Sequence, residues 1–521
     1  MGDGNAQAIP EINPWIIATA VMLSTFMEVL DTTVVNVSLP HIAGSLSATV
    51  DEATWTLTSY LVSNAIILPL TGWLANYFGR KRLLMLSVTG FTAASFLCGL
   101  APNLAFLICF RVIQGACGGG LQPISQAVLL ESFPPQDRGK AMGFWGLGIV
   151  VAPMLGPVLG GWLTDSYSWR WVFYINVPIG VAALLMTKLF VFDPAYIRRT
   201  SEHIDYWGIG MLAVGVGALQ IVLDKGQEKD WFGTHWITAL ALLAIVALAA
   251  FVVFELWIEH PVVNLRVFKS RTYATGVFMM ALLGVGLYGS IVLIPLVMQT
   301  LLGYPAVQAG IAMAPRGLGA FIAMPMVGII MTRFDSRKLL AAGLAVCAYT
   351  LIMFSRLNLD AGYWDFFWPQ IIMGLSLGFL FVPLTTTTMD PIPKETMGNA
   401  TSLFNLVRNL GGSVGISAVD TIQVRREQSH INVLGAHVNP LNPPALATFN
   451  QLRAAFIARG SDAVTASHRA YSVVWTIVMR QATMMSYNDA FRLLGIMFFA
   501  MMPLISLMRK PKAGGERMAV H

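Results

Sequence analysis

Long apolar runs dominate this chain and limit what it can fold into. A helix that crosses a bilayer needs about 20 mostly apolar residues, and the sequence contains about fourteen such runs. With 56% hydrophobic and 12% charged residues, the composition excludes a soluble protein. The net charge of +6 requires no nucleic-acid partner, because membrane proteins carry Lys and Arg in cytoplasmic loops. We therefore predict an all-α polytopic membrane protein.

The predicted spans lie near 14–38, 53–74, 82–100, 104–130, 141–163, 171–191, 205–223, 236–257, 273–297, 306–330, 338–356, 366–388, 398–421 and 487–508. Basic residues follow the even-numbered spans, at 80–82, 138–140, 198–199, 266–271, 333–338, 394 and 509–512. Because short cytoplasmic loops are rich in Lys and Arg, both termini are predicted to be cytoplasmic.

The two ends of the chain carry an internal repeat. Shifting the first half forward lays Gly115 on Gly374 and Pro134 on Pro393, and the matches keep their place relative to the spans. This pattern predicts two six-helix halves plus two extra central helices, the architecture of a rocking transporter. The predicted parts are residues 1–191, an insertion at 192–272, and residues 273–521 with a periplasmic loop at 422–486.

Two carboxylates, Glu28 and Asp31, lie inside the first apolar run. Their spacing places both on one face of a helix. An ionised carboxylate deep in a bilayer costs at least about 2.5–3.5 kcal/mol, so it seldom occurs without a use. One interpretation is a carboxylate near a helix end, or one paired with a basic neighbour for stability. The other is a protonatable site that faces an internal cavity.

Four local patterns resemble those of a single family. The loop at 72–82 resembles the signature between spans two and three of the major facilitator superfamily, and 110–118 resembles its span-four motif. The run at 148–161 resembles the span-five motif of antiporters, and 30–40 looks like the span-one motif of fourteen-helix drug:proton antiporters of the EmrB/QacA type. The resemblance covers essentially the whole chain.

The resemblance implies how proton movement would be coupled to transport. Asp31 is predicted to be the main proton carrier because the family motif carries Asp there, and the resemblance places Arg111 and Gln114 at the cavity near it. Glu28 is not part of that motif and is predicted to be a helper and part of any site for cationic drugs. An apolar setting favours the neutral form of a carboxyl group, whereas a nearby arginine favours the ionised form. A structural clamp to a backbone carbonyl remains the alternative role for Arg111.

The motifs also give candidate gating residues. In the first loop these are Gly72, Asn76, Gly79, Arg80 and Lys81, and in span five they are Gly148, Gly156, Pro157, Gly160 and Gly161. The glycines allow tight turns and close helix packing. Asn76 stands where the family usually has Asp, which removes one charge from the loop.

Further intramembrane charges are Arg316, Arg408 and Asp420, each equally open to a structural or a functional role. Aromatic and Met side chains accept varied ligands because they repack easily. Residues of this kind, together with Gln114, are the candidates for lining an apolar substrate cavity: Phe26, Met27, Trp55, Tyr60, Trp145, Tyr288, Phe379 and Phe404.

The sequence predicts a secondary transporter that is neither an enzyme nor a user of a cofactor or metal, and no Walker loop is present. The resemblance implies proton-driven export of small hydrophobic drugs across a bacterial inner membrane. It also implies a periplasmic adaptor, or membrane fusion protein, and an outer-membrane channel as partners. The segment 422–486 is then either a flexible external loop or a docking surface. The alternatives are a substrate-specific proton-coupled carrier and a membrane sensor or scaffold.

Overall fold

The computed structural model of the chain describes residues 13–193, 205–259 and 261–508. Every regular element within these ranges is a helix, which confirms the predicted all-α fold. The basic residues predicted to follow spans six and fourteen, at 198–199 and 509–512, and both termini lie outside the described residues.

The amino-terminal group of helices consists of α1 (Pro14–Ser45), α2 (Val50–Ala53), α3 (Trp55–Phe78), α4 (Arg80–Leu100), α5 (Leu104–Gly118), α6 (Leu121–Ser132), α7 (Arg138–Ser166), α8 (Trp171–Tyr174) and α9 (Asn176–Phe190). The predicted fourth span is divided, because α5 ends at Gly118 and α6 begins at Leu121 after two further glycines. Asn103 caps the start of α5, where its side chain accepts a hydrogen bond from the Phe106 amide.

Two helices follow, α10 (Tyr206–Lys225) and α11 (His235–Trp257). They pack against each other, and α10 also contacts α3 and α16. The carboxy-terminal group consists of α12 (Arg271–Leu296), α13 (Ala306–Ile330), α14 (Ser336–Phe354), α15 (Tyr363–Met389), α16 (Met397–Ala436), α17 (Pro443–Ala458) and α18 (Ala463–Ala500).

Thirteen helices among the described residues are long and apolar enough to cross a membrane, one fewer than the fourteen predicted spans. The remaining predicted span, 398–421, forms the first part of α16. This helix is not among the thirteen, because polar residues such as Asn405, Arg408 and Asn409 interrupt its apolar first part. Its first part nevertheless packs among the other helices, in contact with α3 and α12.

The segment 422–486, for which a flexible external loop was one of two interpretations, is mostly helical. Helix α16 continues to Ala436, α17 follows, and α18 begins at Ala463, well before the predicted start of the last span. At 1.5 Å per residue, the 40 residues of α16 extend roughly 60 Å, about twice the thickness of a bilayer's apolar core. Side chains join the two long helices, since Thr483 donates to Glu427 at 2.6 Å. The segment is therefore an ordered helical extension.

Small residues let the two groups of helices approach closely at two places. A Cβ atom on Gly72 of α3 would lie 2.6 Å from the backbone of Asn399 in α16. A Cβ atom on Gly143 of α7 would lie 2.6 Å from the carbonyl oxygen of Met324 in α13. Both distances are too short for a side chain, so these glycines set how closely the groups pack.

Candidate functional site

Asp31 of α1 is completely buried and accepts hydrogen bonds from three side chains on two other helices. Arg111 Nη1 of α5 lies 2.6 Å from Oδ2. Gln114 Nε2, one turn further along α5, donates to Oδ1 at 2.9 Å, and Asn176 Nδ2 of α9 donates to the same oxygen at 2.7 Å. All three contacts are donors, so both oxygens of the Asp31 carboxylate have hydrogen-bond partners.

Arg111 is buried as completely as its partner, and several groups hold it in position. Its Nε donates to the carbonyl oxygen of Thr56 at 3.0 Å, and Nη1 also donates to Gln114 Oε1 at 2.8 Å. The guanidinium lies 4.1 Å from the ring centre of Tyr60 and 5.7 Å from that of Phe173. Arg111 thus makes both of the contacts considered from the sequence, one with a backbone carbonyl and one with the Asp31 carboxylate.

Asn176 is part of this site, although the sequence analysis did not single it out. Its Nδ2 also contacts Ser95 Oγ at 3.0 Å, and Ser95 in turn donates to the carbonyl oxygen of Phe173 at 2.8 Å. Asn176 and Ser95 are both fully buried. The available signal was the presence of an amide and a hydroxyl inside otherwise apolar runs.

Glu28 lies one turn before Asp31 and has different neighbours. Asn64 Nδ2 of α3 donates to its Oε1 at 3.0 Å. Its Oε2 has no hydrogen-bond partner among the described residues, although the side chain is only 4% exposed. The nearby polar groups are Gln122 of α6 and Arg408 of α16. The two carboxylates predicted to act together therefore differ, since Asp31 is fully paired and Glu28 keeps one free oxygen.

A buried polar seam joins α6 to α16 beside Glu28. Arg408 Nη2 donates to Gln122 Oε1, and one turn earlier Asn405 Nδ2 donates to Gln126 Oε1 at 2.6 Å. All four side chains are buried. The seam connects the amino-terminal group to the carboxy-terminal group, so movement between the groups must break it.

Three of the predicted cavity residues lie near the contact of α1 with α7. Phe26 is half-buried and Met27 fully buried. Trp145 is also fully buried, and its Nε1 donates to Thr25 Oγ1 at 3.0 Å. The Trp145 ring lies 6.1 Å from that of Phe381 in α15, which places it where the two groups meet.

The other predicted aromatic residues are dispersed. Trp55 is 37% exposed at the start of α3, and Lys225 Nζ lies 5.7 Å from its ring centre. Tyr288 packs against Gly412 of α16, Phe379 packs against α14, and Phe404 is buried within α16. These residues do not form one continuous wall in this conformation.

Two acidic residues, one in α6 and one after the end of α9, contact the predicted gating loop. Gly79 has φ +88°, a conformation that favours glycine. Arg80 pairs with Glu131 of α6, and the Lys81 amide donates to Asp193 Oδ1 at 2.8 Å. Arg80 and Lys81 were candidates from the sequence, whereas their acidic partners Glu131 and Asp193 were not.

Asn76 lies at the edge of a cavity of about 180 Å³, which Trp73, Glu259, Glu395 and Asn399 also line. Its side chain is exposed. The cavity lies between the end of α3 and the start of α16, next to the close contact at Gly72.

The span-five glycines pack against α1, as their motif predicts. A Cβ atom on Gly156 would collide with the Thr33 side chain, and one on Gly160 would lie 2.8 Å from the carbonyl oxygen of Val34. The face of α7 that carries these glycines therefore lies directly on the helix that carries Asp31.

The two remaining charges differ in burial. Arg316 of α13 is 1% exposed, and its Nη2 donates to Ser290 Oγ at 3.0 Å. Asp420 is exposed and lies in the middle of α16, which continues to Ala436. Within the described part of the chain, no group of His, Cys, Asp and Glu is arranged to hold a metal ion.

The family model described as the Major Facilitator Superfamily matches residues 21–416. The chain belongs to this superfamily. The match includes Glu28, Asp31, Arg111 and Arg408, so the polar site belongs to the family's transport fold.

The chain is 38% identical to the multidrug export protein EmrB of Escherichia coli strain K12 over 510 residues, which cover 97% of this chain and 98% of that protein. It is 39% identical to EmrB of Haemophilus influenzae over 497 residues, with 95% and 96% covered. The solved structure of the human organic anion transporter MFSD10 matches with a TM-score of 0.56 at 13% identity, over 94% of this chain and 100% of that one. The structural match supports the fold alone.

Proposed function

We propose that this protein is a proton-driven antiporter that exports small hydrophobic and amphipathic drugs across the bacterial inner membrane. The observation that carries the proposal is the buried Asp31–Arg111 pair at a four-helix junction. It occurs in a chain similar over nearly its full length to proteins named for multidrug export. A multi-pass membrane protein of this family is a transporter rather than an enzyme.

In this proposal Asp31 is the main proton carrier. Arg111, Gln114 and Asn176 occupy both oxygens of Asp31, so in this proposal a proton reaches the carboxylate only after α1 has moved away from Arg111. A proton would thus bind in one conformation and leave in the other. Drug and proton need not touch, because it suffices that each prefers a different conformation.

Glu28 is proposed to assist Asp31 and to attract cationic drugs. Its unpartnered Oε2 lies beside the seam between the two groups of helices, where a cavity would open as they separate. Met27, Tyr60, Trp145 and the other predicted aromatic residues would line parts of that cavity. Their dispersed positions suit a substrate path better than a single rigid pocket.

The energy available from protons is sufficient for drug accumulation. Each proton that moves inward across 100 mV yields about 2.3 kcal/mol. That free energy corresponds to roughly a fiftyfold gradient of drug.

The proposed transport cycle divides the chain into two halves, 1–191 and 273–521, with the insertion 192–272 between them. The loop at 72–82 and the glycine face of α7 would then gate the two sides. Both termini would face the cytoplasm. The carboxy-terminal end of α16 and the amino-terminal end of α18 would extend into the periplasm. That extension is proposed to dock a periplasmic adaptor, which connects the pump to an outer-membrane channel.

The alternative is a substrate-specific proton-coupled carrier on the same fold. Transport in proteoliposomes distinguishes the two functions. An antiporter of several unrelated dyes should use an imposed pH gradient to move each dye against that dye's own concentration gradient. An uncoupler should abolish the movement. Transport of one compound alone, or transport that the uncoupler leaves unchanged, would contradict the proposed function.

A further inference from the structure

Two carboxyl groups of the inserted helix pair are buried next to each other. Asp205 directly precedes α10 and is 8% exposed, and Glu255 lies near the end of α11 and is 1% exposed. A Cβ atom on Gly208 would collide with Asp205 Oδ2 and lie 2.8 Å from Glu255 Oε1, so the two oxygens are neighbours. Neither residue belongs to the site around Asp31.

Each of these carboxyl groups has one oxygen with a partner and one without. Asp205 Oδ1 caps α10 by accepting from the Gly208 amide at 2.8 Å, and Glu255 Oε2 accepts from the Val263 amide at 3.4 Å. The two neighbouring oxygens, Oδ2 and Oε1, have no hydrogen-bond partner among the described residues. Ionised carboxylates only accept hydrogen bonds, so neither group can satisfy the other unless one of them carries a proton.

Basic side chains do not neutralise the pair within the described ranges, since no ion pair there includes Asp205 or Glu255. Helix α3 carries no charged residue, and Arg408 of α16 binds Gln122. Arg266 Nη2 donates to a backbone carbonyl oxygen, that of Ile258. Other charged or titratable residues on the surrounding segments are exposed or lie at the far ends of α10 and α11: Glu259, Lys269, Arg271, Lys394, Glu395, Asp224, Lys225 and His235.

Two adjacent carboxyl groups removed from water are unfavourable when both are ionised, because the like charges repel each other. One proton shared between Oδ2 and Oε1 would give both unpartnered oxygens a hydrogen bond and would leave a single negative charge. The amides of Gly208 and Val263 donate to the other two oxygens. The amino-terminal end of α10 also favours one negative charge at this place.

The segment 258–264 after α11 connects this pair with the contact between the two groups of helices. An amide of the segment donates to Glu255, and Asn264 exchanges two hydrogen bonds with Asn399 of α16, at 3.0 and 2.9 Å. Gly72 of α3 packs on the backbone of the same Asn399. A displacement of the segment would therefore reach the closest approach of α3 and α16.

We propose that Asp205 and Glu255 share one proton, and that its loss at high cytoplasmic pH loosens the contact between α3 and α16. In the proposed topology this end of α10 and α11 faces the cytoplasm. When the proton leaves, two adjacent anions repel each other and separate the start of α10 from the end of α11. The segment 258–264 then moves and no longer holds Asn399 in place. The inference goes beyond the proposed transport function, because this proton is not carried across the membrane.

Infrared spectroscopy of the purified full-length protein in lipid nanodiscs detects the shared proton, because protonated and ionised carboxyl groups absorb at different frequencies. The spectrum of wild type minus that of Glu255→Gln should contain the band of a protonated carboxyl group at neutral pH and lose it at alkaline pH. Asp205→Asn should remove the same band, since the new amide can cap α10 and donate to Glu255. Glu259→Gln, the same change at an exposed residue after α11, should leave the band in place.

Thiol labelling measures the connection to the contact between α3 and α16. Ala75 of α3 is 3% exposed and lies beside Gly398 at the start of α16. With the native cysteines replaced, Ala75→Cys is labelled with Glu255 present and with Glu255→Gln, and the ratio of the two rates cancels the pH dependence of the thiol. The ratio should be close to one at acidic pH and rise at alkaline pH. The corresponding ratio for Glu259→Gln should stay close to one at both.

Asp205→Asn supplies both measurements if Glu255→Gln fails to fold. Difference spectra that contain only carboxylate bands, with or without a metal cation between the two groups, overturn the shared proton. A labelling ratio that does not change with pH overturns the connection to the contact between α3 and α16. Neither measurement requires drug transport, so absence of proton-coupled efflux with both effects intact would overturn the proposed function instead.

Discussion

Arg111 of α5 donates to Asp31 of α1 over 2.6 Å, and neither side chain is exposed. Two charges on different helices, removed from water, fix the distance between those helices. The packing of α1 against α5 therefore depends on the charges of these two side chains. In the proposed cycle, a step that protonates Asp31 would also release Arg111, so the pair would act as a two-state element.

Arg111→Ala should reduce stability by about 3–5 kcal/mol, because it leaves Asp31 buried with an uncompensated charge. Thermal unfolding of the detergent-solubilised protein measures the loss. The double variant Asp31→Asn with Arg111→Gln should recover much of the stability, since both charges are then absent. A double variant less stable than Arg111→Ala would show that the pair is not what Arg111 stabilises.

Glu28→Gln should preserve transport of neutral drugs and weaken transport of cationic ones several-fold. The amide keeps the contact with Asn64 but removes the negative charge at Oε2. Efflux of a neutral dye and a cationic dye from the same cells measures the selectivity. An equal loss for both dyes would assign Glu28 a role in proton coupling or folding rather than in cation recognition.

Gly72→Val should abolish most transport, because its side chain would collide with the backbone of Asn399 and separate α3 from α16. Gly210→Val in α10 is a suitable control, since no atom lies within 4 Å of a Cβ added at Gly210. Dye efflux should fall to a small fraction of the wild-type rate in the first variant and remain close to wild type in the second. Equal rates in both would mean that this contact is not needed for the cycle.

The turn between α16 and α17 should face the periplasm. Asn439 is exposed in that turn, and Arg333 is exposed in the turn after α13, which is predicted to face the cytoplasm. With the native cysteines replaced, a membrane-impermeant thiol reagent should label Asn439→Cys in intact spheroplasts. It should label Arg333→Cys only after lysis, and the reverse pattern would invert the proposed topology.

The apolar runs were sufficient to predict most helices, because bilayer thickness sets a minimum length that a sequence shows directly. The contacts of Asp31 with Arg111 and Gln114 agree with the placement that the family resemblance implied. Asn176 and Asn64 were missed because an amide in an apolar run gives no periodic signal, and its partner comes from a distant helix.

The helices within 422–486 were hard to predict for a different reason. The polar residues of α16 and α18 resemble those of a solvated loop, and hydropathy alone does not separate a loop from a helix that leaves the membrane. Contacts such as Thr483 with Glu427 and His430 with Asp489 join the two helices over long sequence separations. Those pairings become visible only when the two helices are placed side by side.

Proton release on drug binding shows whether Asp31 carries the transported proton. Purified protein in weakly buffered detergent solution is mixed with a saturating drug while a pH indicator records released protons. Wild-type protein should release protons, whereas Asp31→Asn should reach the membrane, bind the drug and release none. If Asp31→Asn releases protons as the wild type does and transports drug against a gradient at the wild-type rate, another residue carries the proton and this account is wrong.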